Sequence, residues 1–165
     1  MRLSTLEEVA ERLKGGQVGL FPFDTIWGIT GIESTATRIA SIKQRPATQP
    51  FIKVIPDLSW VNPATNLQRE LIAKHWPGPV TLRFSDQIAL RLPAFEPLNQ
   101  LLFLVNQPLI TTSANLSGKD FPKTFQDISP EVINRVDFYY AEIEPLLGRP
   151  SLIIDATTNP PTTLR

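Results

Sequence analysis

The chain has 165 residues, of which 42% are hydrophobic and 19% charged; this balance predicts one core-forming globular domain over residues 1–165. Sixteen Lys and Arg offset sixteen Asp and Glu, which excludes the broad basic field of a non-specific nucleic-acid binder but leaves room for a local basic patch. There is no cysteine and a single histidine, His75; disulfides, thiolate metal sites and a cysteine nucleophile are excluded, and a Ser-His-Asp triad has little scope.

The N-terminus carries charges throughout and reads as no signal peptide. No apolar run reaches bilayer length, so the expected location is cytoplasmic and away from membranes. Ser4 with Glu7 makes a capping-box pattern, and Leu6, Val9, Ala10 and Leu13 follow at helical spacing until Gly15-Gly16. The run from Gln17 to Phe23 reads as a buried strand ending at Pro22. Ser34 is placed to cap a second helix with Ala36, Ile39 and Ala40 inward, ending near Arg45 because Pro46 disfavours helical backbone before it.

Pro50 to Pro56 reads as a strand. Asn66 is placed to cap a helix through Leu67, Leu71 and Ile72. Val80–Phe84 and Ile88–Leu92 read as a hairpin, and a helix follows over Leu98–Val105. Leu109–Thr112 reads as a strand leading into Ser113-Ala114-Asn115. Pro130 suits the first turn of a helix with Val132, Ile133 and Val136. Asp137–Ala141 and Leu152–Asp155 close the pattern as strands. Short strands mix with helices without strict βαβ alternation, which predicts an α/β fold: an open, twisted, mixed parallel and antiparallel sheet flanked by helices.

Polar and basic residues gather at strand and helix ends, where α/β folds place ligands. Lys43 and Arg45, locked by Pro46, read either as a clamp for phosphate or carboxylate or as a solvated helix C-terminus, which also favours positive charge. Thr111 to Gly118 supplies hydroxyls, an amide and turn backbone suited to phosphates or nucleobases, or forms an ordinary polar turn. Arg91 alternates with Leu90 and Leu92, so it faces either solvent or a site. Arg149 and Ser151 precede an apolar strand and offer donors to the same cleft. Asp24 and Asp155 are open to metal, turn or cap roles; Trp27 and Trp76 read as packing residues, and His75 as structural. Neither a Walker-type phosphate loop nor a G-x-G-x-x-G is present.

Six stretches, in order, carry a resemblance: FPFDTIWGI, IKQRPATQPFIKVI, HWPGPVTL, ALRLP, ITTSANLSG and RPSLIIDAT. Together they resemble the YrdC/Sua5/TsaC family, the threonylcarbamoyl-adenylate synthases, in its single-domain branch. The resemblance implies a YrdC-like fold with a concave basic surface. It implies a nucleotidyltransferase that joins L-threonine, bicarbonate and ATP into threonylcarbamoyl-AMP and pyrophosphate, with Mg²⁺ accompanying ATP. A separate transferase complex would pass the group to adenosine 37 of tRNA (the t6A modification), with direct tRNA contact possible.

By the same resemblance Lys43 and Arg45 are the catalytic pair. Lys43, Arg45, Ser113 and Asn115 would bind ATP, and Thr25, Arg91 and Ser151 would bind threonine, with no protein metal ligand. The sequence departs from the family at Phe23, where a threonine is usual, and at Trp27, where tyrosine or phenylalanine is usual. The alternative reading is an RNA- or nucleotide-binding YrdC-like paralogue without synthase activity.

Overall fold

A computed structural model describes residues 1–61 and 64–165. Its first elements are strand β1 (Arg2–Leu3), helix α1 (Leu6–Lys14), strands β2 (Gly19–Pro22) and β3 (Trp27–Gly31), helix α2 (Ala36–Lys43), strand β4 (Ile52–Val54) and helix α3 (Asn66–His75). Strands β5 (Val80–Arg83) and β6 (Ala89–Arg91), helix α4 (Glu96–Val105), strand β7 (Leu109–Ser113) and helix α5 (Pro130–Ile133) follow. Strands β8 (Phe138–Tyr140), β9 (Leu152–Asp155) and β10 (Thr162–Thr163) complete the order. No helix among the described residues is long and apolar enough to cross a membrane.

The described strands form one sheet in the order β1-β8-β2-β3-β7-β4-β6-β5-β9-β10. Parallel pairs (β2 with β8, β4 with β6, β5 with β9) are mixed with antiparallel ones (β2 with β3, β3 with β7, β5 with β6). This is the expected mixed sheet, and Val80–Arg83 with Ala89–Arg91 is the expected hairpin.

Alternating side chains send apolar residues to both faces. Phe21, Val54, Leu109 and Phe138 join α1 and α4 in one core. Leu20, Ile29 and Ile110 join α2 and α5 in another. Leu82, Leu90 and Ile154 form a third beside Leu71 of α3.

The helix caps differ from the sequence expectation. The α1 box is Thr5 with Glu8 rather than Ser4 with Glu7. Shifted by one, the Glu8 carboxylate accepts from the backbone N–H of both Ser4 and Thr5, at 3.1 and 3.2 Å, which satisfies two otherwise free donors. Thr65, not Asn66, caps α3, because Thr65 and Gln68 exchange reciprocal bonds. Ser34 caps nothing: it lies within a 3₁₀ turn, Glu33–Thr35, and no side chain caps α2. Helix α5 ends at Ile133 and does not reach Val136.

Candidate functional site

Helix α2 stops where the sequence forces it to. Gln44 adopts the left-handed conformation at the C-cap (φ 55°), and the chain turns through Pro46. Arg45 is then gripped by its own turn, donating to the carbonyls of Gln49 (3.0 Å) and Pro50 (3.1 Å). Its guanidinium stacks 3.9 Å from the Phe51 ring centroid, a cation–π contact that suits the planar arginine head.

Lys43 points the other way, onto β7 and the turn after it. Its ammonium donates to the Ser113 carbonyl (2.7 Å), the Ser113 hydroxyl (3.0 Å) and Asn115 Oδ1 (2.6 Å). An ammonium has three protons, so all three are engaged. The Ser117 N–H donates to the Lys43 carbonyl at 2.9 Å, zipping α2 to the Ser113–Ser117 turn. Burial, then the charges of Arg45 and Arg165, push Lys43 down to about 7.

Arg91 is buried at the end of β6 and faces the site rather than solvent. It forms an ion pair with Asp24, both side chains being nearly inaccessible (4% and 8%). It also donates to the Thr25 hydroxyl at 3.3 Å, while its Nε is buried without a partner. Burial lowers the affinity of this guanidinium for its proton and Asp24 opposes that shift; arginine remains a cation at any ordinary pH.

These segments surround one open hollow of about 190 Å³. Thr25, Arg45, Arg91, Ser113 and Ser151 all line it, with Thr111, Thr112, Phe23, Phe51 and Arg165. Lys43 and Asn115 stand behind the lining and hold Ser113. Gly28 keeps the wall open, because a Cβ there would sit 2.6 Å from the Phe23 ring and 2.8 Å from the Thr111 hydroxyl.

Other sequence expectations resolve differently. Arg149 is exposed and lies outside the hollow; Arg165 enters in its place, donating to the Ser151 carbonyl at 3.3 Å. Asp24 and Asp155 are committed to Arg91 and Arg83, and among the described residues no cluster of three or more His, Cys, Asp or Glu could hold a metal. Trp27 packs fully buried, with its indole N–H donating to Glu144 at 3.0 Å, and the Trp76 indole donates to the Val80 carbonyl at 2.7 Å. His75 lies in the last turn of α3, outside the hollow.

Comparison with known proteins agrees with this architecture. The Sua5/YciO/YrdC family profile, described as telomere recombination, matches residues 11–165. The chain belongs to the Sua5/YciO/YrdC family. Among the relatives of this Sua5/YciO/YrdC chain, a threonylcarbamoyl-AMP synthase from Pyrococcus abyssi (strain GE5 / Orsay) is 29% identical across 93% of this chain and 51% of its own length. The chain thus spans about half of that relative. One from Idiomarina loihiensis is 28% identical across 94% of this chain and 95% of its own length.

The solved structure of Pyrococcus abyssi Sua5 complexed with L-threonine superposes with a TM-score of 0.86 at 26% identity, covering all of this chain and 56% of the other. Escherichia coli YciO, at 21% identity over 100% of this chain and 92% of its own, shares the fold with a TM-score of 0.81.

Phe23, the departure from the usual family threonine, is a core residue. It is buried (3% exposed), stands edge-on to Phe21 at 5.9 Å between ring centroids, and belongs to the α1–α4 core. Phe23→Thr is therefore expected to lower stability by about 3 kcal/mol, as for large-to-small core changes, read as a drop in the urea midpoint. An unchanged midpoint would mean that the ring contributes nothing to the core.

Proposed function

We propose that this chain is a nucleotidyltransferase, an L-threonylcarbamoyladenylate synthase. The observation that carries the reading is the meeting of Thr25, Arg45, Arg91, Ser113, Ser151 and Arg165, from distant stretches of chain, around one hollow. Its name-bearing relatives and the threonine complex of a structural neighbour support it.

The chemistry fits the lining. Bicarbonate takes up a proton and loses water to give CO₂; the neutral threonine amine attacks its carbon, the N–C bond forms as one C–O π bond opens onto oxygen, and the nitrogen sheds a proton to solvent, leaving a carbamate. A carbamate oxygen then attacks the α-phosphorus of ATP; the P–O bond to the β-phosphate breaks and pyrophosphate leaves with its electron pair. The amino-acid carboxylate, the carbamate and the triphosphate are all anionic, so positioning with charge neutralisation is the main requirement. The hollow offers three arginines and several hydroxyls.

Arg91 supplies the cation for the amino-acid carboxylate, with Thr25 and Ser151 beside it. Arg45 and Arg165 face the phosphates. Ser113, braced by Lys43 and Asn115, presents a hydroxyl and backbone to the nucleotide. A volume near 190 Å³ is below that of a cavity enclosing a drug-sized ligand. It suits an amino acid, with the nucleotide lying across the open mouth. Mg²⁺ would arrive on the triphosphate, as it commonly does, since Asp24 and Asp155 are engaged by arginines. The product would pass in the cytoplasm to a transferase complex that modifies tRNA.

The test is pyrophosphate release from ATP by the purified chain. Release that requires both threonine and bicarbonate is expected; equal release with no amino acid would refute the reading. The second reading, a paralogue that binds nucleotide or RNA without synthesis, is favoured by one feature, the Phe23 ring in the wall of the hollow. A steeply salt-dependent tRNA affinity with no threonine-dependent turnover would select it.

A further inference from the structure

Thr81 lies in β5, parallel to β9 and opposite Ile153. Its side chain is completely buried, yet it is polar and touches no substrate space: it does not line the hollow. A buried hydroxyl in a central strand needs a partner, because an unsatisfied one costs about 1–3 kcal/mol. Among the described residues the Thr81 hydroxyl has one, the Ser151 hydroxyl at 3.0 Å. Ser151 does line the hollow.

The direction of this bond follows from counting protons. A hydroxyl has one proton and two lone pairs. If Ser151 donated to Thr81, the Thr81 proton would have no acceptor in a site closed to water. Thr81 must therefore donate, and Ser151 accepts. The second neighbour of the Ser151 hydroxyl is the Arg165 guanidinium, at 3.5 Å, which can only donate. Both neighbours push hydrogen toward the Ser151 oxygen, and neither can take its proton. That proton is left for an acceptor in the hollow.

We infer that Thr81 is a positioning residue: it fixes the Ser151 hydroxyl as a hydrogen-bond donor into the hollow, for an oxygen of the bound amino acid or of its carbamate. This rests on the reading of the hollow as an amino-acid site. Without the Thr81 proton, the Ser151 hydroxyl is free to turn its own proton away, and the substrate oxygen loses a pre-oriented donor.

The experiment is calorimetric titration of threonine into wild type, Thr81→Val, Thr81→Ser and Ser151→Ala, with the double variant Thr81→Val/Ser151→Ala. Valine keeps the shape and removes only the hydroxyl. Thr81→Val is expected to weaken threonine binding about 3- to 10-fold, the loss of one ordinary hydrogen bond, with ATP affinity unchanged. Thr81→Ser restores binding, and in the Ser151→Ala background Thr81→Val has no further effect. Structural damage alone would weaken ATP binding as well and would persist without Ser151.

Wild-type threonine affinity in Thr81→Val, or an equal loss in the Ser151→Ala background, overturns the role given to Thr81. A wild-type protein that binds no threonine overturns instead the reading of the hollow on which that role rests.

Discussion

Replacing Arg91 with alanine is expected to weaken threonine binding about 100-fold, the upper range for losing a hydrogen-bonded charge partner, and to destabilise the fold by about 3–5 kcal/mol. Both effects follow from one pairing. Arg91 and Asp24 neutralise each other in a place where both side chains are nearly inaccessible. Removing the arginine strands the Asp24 carboxylate, and uncompensated buried charge is the costly outcome. The two effects separate in a second variant: Arg91→Met with Asp24→Leu removes both charges, so stability should recover while threonine binding does not. Denaturant melts and threonine titration on the three proteins read this directly. A single variant that still binds threonine with wild-type affinity would remove Arg91 from the site.

Lys43, which the family resemblance makes an ATP ligand, is the second large case. With all three ammonium protons on Ser113 and Asn115, Lys43 acts as a strut for the turn that starts at Ser113 in the wall of the hollow. Lys43→Met leaves these acceptors without their donor, so ATP affinity is expected to fall at least about 10-fold, consistent with losing charged hydrogen bonds, and stability by about 1–3 kcal/mol.

The pH dependence adds a sign. Folding lowers this amine from 10.5 to about 7, so the unfolded chain holds the extra proton between those values. Wild-type stability relative to Lys43→Met should therefore rise with pH across that window. Nucleotide affinity should move oppositely, because above about 7 the strut loses one of its donors. Melts and ATP titrations of both proteins at pH 6.5 and pH 9 test the pair of trends; parallel trends would contradict the strut.

Much of this was legible in the chain. Apolar runs such as Gln17–Phe23, Leu109–Thr112 and Leu152–Asp155 announce strands by composition alone, and their irregular alternation with helices points to a mixed sheet. Proline sets the limits of α2 and α4. Strand β3 was not legible. Its sequence, Trp-Gly-Ile-Thr-Gly, carries two glycines, which weaken strand propensity. The first is there because the wall of the hollow has no room for a Cβ. Strands β1 and β10 are two residues each, too short for any periodicity.

In the site, motif order placed Thr25, Arg45, Arg91, Ser113 and Ser151 together. Two roles needed three dimensions. Arg165 reaches the hollow only because β10 returns antiparallel to β9; in the sequence it is one more terminal arginine. Thr81 looks like any β-branched residue filling a strand until its single partner is seen. The off-by-one caps have a similar origin: Ser4-x-x-Glu7 and Thr5-x-x-Glu8 are equally good patterns, and backbone donors choose between them.

On the proposed reading, residues from distant segments form one site that joins an amino acid to a nucleotide through a carbamate. Mass detection of the adduct tests it most directly. The purified chain, given ATP, Mg²⁺, L-threonine and bicarbonate, should yield threonylcarbamoyl-AMP, and omitting any one of the three substrates should abolish the product. A folded protein that turns over ATP without threonine, or that forms no adduct from the complete mixture, would contradict it.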